Sequence, residues 1–372
     1  MRSLRGLVIL LGGLMAAGCA AATGGPGAAA GPAPAPRVFT AHLSSLPDVG
    51  NPNGHASVPL PARAVNTSHP NHVIGRGTAA SCTSAAVVKA VAQGGIITFN
   101  CGPMPVTITM TATAKVVNTS HRVVLDGAGK VTLSGGGRIR ILYMNTCDPR
   151  QKFTTTDCWE QQWPQLVVQN LTFKNAYSPV QQTKTSNYGG GAIFDEGGQL
   201  KVVNSAFLGD RCYKTGPDLG GGAIRALGMY MATPVYITHD TFSGNACSNG
   251  AALSGLYANF YVINSLLTAN KATGYGANPA SPGTPGGGSG GAIYTDGDHY
   301  NLIIAGTVMT GNYAPEGGSA IFFVVDQGGG TLKIEYSTLR NNKKGAFQNH
   351  PGIFDFVDGS EANPVVIHSS IS

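Results

Sequence analysis

Residues 200–210, Leu-Lys-Val-Val-Asn-Ser-Ala-Phe-Leu-Gly-Asp, return at 235–245 as Val-Tyr-Ile-Thr-His-Asp-Thr-Phe-Ser-Gly-Asn. With Phe207 and Phe242 as anchors, an apolar residue stands seven before, a β-branched residue five before and a polar residue three after. The pattern recurs around Leu267, Met309 and Leu339, and Phe173 and Ile371 extend the anchor series at either end, at intervals of 25 to 42 residues. Positions −7 and −5 share one face of a strand, because side chains alternate with period two. All seven residues at −5 are β-branched: Val168, Val202, Ile237, Val262, Ile304, Ile334 and Val366. Each repeat therefore carries the same short strand, which buries its face only by stacking on its neighbours. A second motif, Gly-Gly-Ala-Ile, keeps phase with the first at 190–193, 221–224 and 290–293, with variants at 250–253 and 318–321.

The polar positions favour stacked coils. Three before each anchor stand Asn170, Asn204, His239, Asn264, Gly306, Tyr336 and His368, mostly groups that can bond to their equivalents one coil away. Asn and Gly also tolerate the left-handed backbone of a tight corner. A propeller needs about four strands in some 40–45 residues per blade, more than most of these intervals hold. Upstream, 96–99, 106–110, 123–125 and 131–133 read as strands of the first coils. Residues 84–92, Ala/Val-rich behind a Thr/Ser start, read as a short helix capping the open end.

Composition agrees. The 372 residues are 42% hydrophobic, enough for a sizeable core, but only 11% charged, with 53 Gly and 22 Pro. A helical bundle needs more Glu, Lys and Arg on its exposed faces, so the profile suits a turn-rich β protein. No apolar run reaches the ~18 residues of a membrane span. The net charge of +6 is spread thinly, without the basic cluster that nucleic-acid binding requires, so no nucleic-acid partner is expected.

The paired elements Gly-Gly-Ala-Ile and Phe-x-x-Asn resemble the repeats of polymorphic outer-membrane proteins. The stretch 81–372 looks like the right-handed parallel β-helix proteins of the pectate-lyase-like superfamily. That resemblance implies an all-β, right-handed parallel β-helix (a solenoid) with a short N-terminal capping helix. Enzymes of this kind mostly cut acidic polysaccharides. The strand Val235-Tyr236-Ile237-Thr238-His239-Asp240 resembles a Val-Trp-Ile-Asp-His strand of pectate lyases, but Thr238 replaces the acid, so no catalytic role is carried over. His239 is explained by the repeat alone.

The first 18 residues read as an export signal: Arg2 and Arg5, an apolar run 7–14, and small residues 16–18. The small residues before Cys19 resemble the lipobox of bacterial lipoproteins, in which that Cys carries the lipid. An ordinary secretory signal followed by a coincidental Cys is the alternative. Residues 19–80 read as an Ala/Gly/Pro-rich tether followed by extended linker or a loose wrap. Assigning Cys19 to lipid leaves six cysteines to pair in an oxidising compartment. Cys212 and Cys247 both lie five residues after their anchors, and coil stacking at about 4.7–4.9 Å suits a disulfide. Cys147 and Cys158 bracket a polar insertion, and Cys82 and Cys101 staple the cap to the first coil.

Candidate binding residues cluster near that insertion. Trp159 and Trp163, the only two tryptophans, can stack on sugars or simply pack the insertion. Arg138, Arg140, Arg150 and Lys152 add positive charge, and Tyr177, Tyr188, Tyr213 and Tyr275 in the loops extend such a surface. Asp298, Asp326 and Asp358 each lie five residues after the Ile of their repeat. Stacked at about 5 Å, such carboxylates repel, which raises a pKa or recruits a cation. They are the candidate catalytic groups of a hydrolase, and Asp326 with Asp358 is the candidate Ca²⁺ site. The competing reading is ordinary Asp-Gly turn chemistry. The expectation is an exported, lipid-anchored surface protein, bound to a membrane through its lipid alone, that binds or adheres to a polysaccharide. The alternatives are a polysaccharide lyase or glycoside hydrolase, and a structural spacer. The last strand, around 365–372, predicts end-to-end self-association through its unpaired backbone edge.

Overall fold

The computed structural model describes residues 49–180 and 188–372. The expected signal, Cys19 and the tether up to residue 48 lie outside these residues. The described chain is all-β, with three stacked sheets of mostly parallel strands and, among the described residues, one α-helix. That helix, Ser84–Gln93, begins where the Thr83 hydroxyl accepts from Ala86 N at 3.3 Å and stops at Gly94.

The repeat spacing translates into strand register. In the long sheet Val168 pairs with Val202, Ile237, Val262, Ile304, Ile334 and Val366 in turn. The anchors pair in the same way, from Phe173 through Phe207 and Phe242 to Ile371. Between each pair of short strands the chain turns a left-handed corner, with φ between +45° and +58° at all seven −3 positions. The Gly-Gly-Ala-Ile segments lead into a second parallel sheet, in which Ile193, Ile224, Leu253, Ile293, Ile321 and Ile353 face one core. A short third sheet of four strands, 177–178 to 271–272, completes four successive coils. The disulfides are Cys82–Cys101, Cys147–Cys158 and Cys212–Cys247, the last of them the pair expected from the repeat.

Inside the stack, polar side chains form ladders along the coil axis. Asn245 Nδ2 donates to Asn270 Oδ1 at 2.9 Å, Asn270 to Asn312 at 2.9 Å, and Asn312 to Asn342 at 3.0 Å. Each amide also donates to the anchor carbonyl one coil back, as Asn245 does to Phe207 O at 3.1 Å. The ladder satisfies buried amides that would otherwise carry a desolvation cost. His239 belongs to a corner, 3.3 Å from the Asn264 amide, as repeat geometry predicts. Asp240 beside it is fully buried and accepts from Ser205 N and Thr238 N.

Three features depart from the expectations. Residues 123–133 form one bulged strand, Arg122–Ser134, whose register against Gln165–Lys174 shifts between Asp126 and Val131, where Ala128 turns the corner. Residues 72–74 add a strand ahead of the helix. Residues 49–67, read as linker or loose wrap, lie lengthwise across the coils. Gly50 N donates to Thr241 Oγ1, Asn264 exchanges two bonds with Ala56, and Lys201 Nζ reaches the carbonyls of Pro61 and Arg63. Gln169 likewise clasps Val65, and Thr67 reaches Asp126. At the far end the strand Val365–Ile367 pairs on one side with Thr331–Glu335, and Val365 and Val366 are exposed.

Candidate functional site

Each strand of the second sheet ends at a turn that returns the chain to the long sheet. Its last position is Asn145, Glu196, Leu227, Leu256 and Asp296 on successive coils. Glycines follow at 197, 228 and 297, and Tyr257 stands in the same row. The insertion closed by Cys147–Cys158 delivers Trp159 to this turn. Its ring lies over Gly228, whose φ is +39° and where a Cβ would approach the ring to 2.4 Å. Only glycine leaves room for the indole there.

Trp159 Nε1 donates to Glu196 Oε1 at 3.0 Å, and Asn145 Nδ2 donates to Glu196 Oε2 at 2.7 Å. Burial pushes the Glu196 carboxyl upward, and these two donors oppose the shift. The Trp159 and Tyr257 rings stand 5.7 Å apart, and they are 39% and 42% exposed. Two large rings left that open on a rigid turn present a platform for a flat apolar face.

Carboxylates flank the platform on its other side. Tyr294 Oη donates to Asp296 Oδ2 at 2.7 Å, and Asn278 Nδ2 lies 3.3 Å from the same oxygen. Burial pushes the Asp296 carboxyl up to about 6; the tyrosine hydrogen bond opposes this and the charge of Asp326 adds to it. Burial, then the charge of Asp298, raises Asp326. Burial, and then the charges of Asp298, Asp296 and Asp326, raise the Tyr257 hydroxyl.

The aspartate column keeps the coil register. Asp326 N donates to Gly297 O, and Asp358 N donates to Val325 O, so Asp298, Asp326 and Asp358 occupy equivalent positions. Their side chains diverge. Asp298 accepts from Gln327 Nε2 at 3.2 Å, and Asp358 turns to accept from Gly329 N at 3.1 Å. Among the described residues no group of three or more His, Cys, Asp or Glu is placed to hold a metal ion.

Just past the turn a cleft of about 380 Å³ opens on the outer face of the long sheet, lined by Pro234, Asn259, Tyr261, His299, Ile303 and Lys333 among others. His299 follows Asp298 directly, so the turn and the cleft adjoin. The Lys333 ammonium is paired with Glu335 at 2.7 Å.

Other expected residues lie elsewhere. Trp163 stacks on His121 with ring centres 4.5 Å apart. Arg140 donates to the carbonyls of Gly189 and Gly190 and lies 4.9 Å from the Phe194 ring centre, riveting a loop onto the second sheet. Burial lowers its guanidinium to about 10. Arg138 is exposed, and Arg150 pairs with Asp148 at 2.8 Å. Glu196, Asp296 and Tyr257 are additions that only the structure reveals. The available signal is the third position after the repeat Ile, acidic at both 196 and 296.

Comparison with protein-family models, curated proteins and solved structures finds no match. No helix among the described residues is long and apolar enough to cross a membrane.

Proposed function

We propose that the chain is an exported, lipid-anchored, right-handed parallel β-helix that binds polysaccharide at the turn carrying Trp159 and Tyr257. One observation carries this reading: two exposed rings 5.7 Å apart, Trp159 bonded to Glu196 and Tyr257 lying against Gly297, the residue after Asp296. Ring faces stack on the C–H face of a pyranose, and carboxylates accept from its hydroxyls. The acidic surround repels uronates and selects a neutral or amino sugar. Regular stacking of two short strands per repeat in the long sheet and one in the second supports the β-helix, and the Gly-Gly-Ala-Ile repeats support the resemblance to polymorphic outer-membrane proteins. Binding is tested with cello-, xylo-, manno- and chito-oligosaccharides. At least one is expected to bind, and Trp159→Ala is expected to weaken it by about tenfold, the value of one lost stacking contact. No binding by any of them sinks the reading.

A second reading is hydrolysis. It rests on Asp296, whose carboxyl burial pushes up to about 6, with the charge of Asp326 on the next coil adding to the shift, a range that suits a general acid. New reducing ends during the same incubations, abolished by Asp296→Asn, favour it over binding alone.

A further inference from the structure

The side of each coil away from the Trp159 turn carries a different surface. Arg211 stands between Glu196 and Leu227, equivalent positions of successive coils, and so lies about half a coil from the turn. On the short sheet the outward column reads Tyr177, Arg211, Ala246 and Lys271, continued by bridges to Tyr313 and Lys343. Beside it the last strands of the long sheet contribute Lys174 and Arg340 to a second column, separated by Leu208, Ser243, Thr268 and Thr310. All five cations are exposed. Lys271 and Lys343 sit 5.7 and 5.2 Å from the Tyr313 ring centre, a cation–π arrangement that holds both ammoniums on this face.

No exposed acid offsets them. The segments 172–178, 206–214, 241–248, 266–274, 308–314 and 338–346 make up this flank and contain one acidic residue, Asp210, which is fully buried. Six coils at about 4.8 Å make the basic strip roughly 24 Å long. The acidic turn and the basic flank thus give the stack as a whole two regions of opposite charge.

The chain enters the described structure next to this flank. At Val49–Gly50 it meets Thr241 and Asn264, and Thr241 lies on the same strand as Ser243 of the second column.

We propose that the basic flank docks against an anionic lipid surface, which orients the domain with its glycan-binding turn facing outward. The orientation rests in part on the lipid-anchor reading; the docking itself does not. Charge complementarity and the point of entry select a bilayer over an acidic polymer. None of the large exposed apolar side chains belongs to either column, so attachment is electrostatic rather than insertive. One acyl chain with a basic patch is the two-signal combination that makes membrane attachment stable.

The test uses the mature chain with Cys19→Ser, mixed with phosphatidylglycerol or phosphatidylcholine vesicles. Binding to phosphatidylglycerol at low salt is expected, with loss at about 0.5 M salt and none on phosphatidylcholine. A cation near such a surface strengthens binding roughly fivefold, so removing three is worth about 100-fold, and reversing them in Arg211→Glu/Lys271→Glu/Lys343→Glu is expected to weaken binding by well over 100-fold. The same triple change to Gln weakens it less, and Trp159→Ala leaves it unchanged. The inference is overturned by absent binding to phosphatidylglycerol, by equal binding of the Glu variant, or by tighter binding to alginate or duplex DNA than to vesicles. The mass of the mature N-terminus reports lipidation separately. An unlipidated Cys19 with intact vesicle binding removes the anchor and keeps the flank.

Discussion

Phe207→Ala is expected to lower the unfolding free energy by about 3–5 kcal/mol, the usual cost of emptying a large buried aromatic site. Phe207 is fully buried between Phe173 and Phe242, with ring centres at 4.8 and 4.7 Å and planes within 4° of parallel. Its neighbours sit on strands paired on both sides, so the cavity has little room to collapse. Urea denaturation checks this through a lower midpoint at unchanged slope. A loss under 1 kcal/mol contradicts the stack as a principal part of the core.

Asp210→Asn is expected to stabilise the protein at neutral and alkaline pH. Asp210 occupies the ladder position filled elsewhere by Asn245, Asn270, Asn312 and Asn342, and it accepts from Ala176 N at 2.8 Å. Its Oδ2 has no hydrogen-bond partner. Burial pushes this carboxyl up to about 8, against an ordinary value of 3.8. The folded state therefore keeps a proton that the unfolded chain releases above about pH 4. Stability is complete below that pH and is lost as pH rises through about 8. Asp195 and Asp240, also raised by burial, act in the same direction. For Asp210 alone the loss by pH 7 is on the order of 4 kcal/mol. An amide at 210 stays neutral and is placed to donate to Phe173 O, as Asn245 does to Phe207 O. Melting temperatures between pH 4 and 9 should converge for the two proteins in acid, with Asp210→Asn higher above pH 7. Parallel curves contradict the buried proton.

Much of this fold is legible because the repeat is local. Val202 and Ile237 stand at equal distances from their anchors, and the structure pairs them. The polar −3 positions predicted corners, and Asn204 and Asn264 turn them at +49° and +51°. The strap 49–67 has no such periodicity. Its partners Lys201, Gln169 and Asn264 lie 104 to 208 residues away, so nothing local announces it. The candidate site is dispersed in the same way. Glu196, Tyr257 and Asp296 come from three coils, and the two acids each stand beside a glycine that makes them look like turn chemistry. Trp159 arrives from an insertion outside the repeat. Arg140 looked available because sequence does not show the carbonyls of Gly189 and Gly190 that occupy it. The basic flank escaped notice because Lys174, Arg211, Lys271 and Arg340 are each at least 37 residues apart, and only stacking assembles them.

The central claim is that Trp159 meets a sugar. Trp163→Phe leaves Trp159 as the only tryptophan of the two. Emission from that single-tryptophan chain, titrated with the cello-, xylo-, manno- and chito-oligosaccharides, is the most direct measurement. A saturable change with at least one of them, absent when Tyr257→Ala is added, is the predicted result. Calorimetric binding of any of these sugars with no change in Trp159 emission would contradict the account.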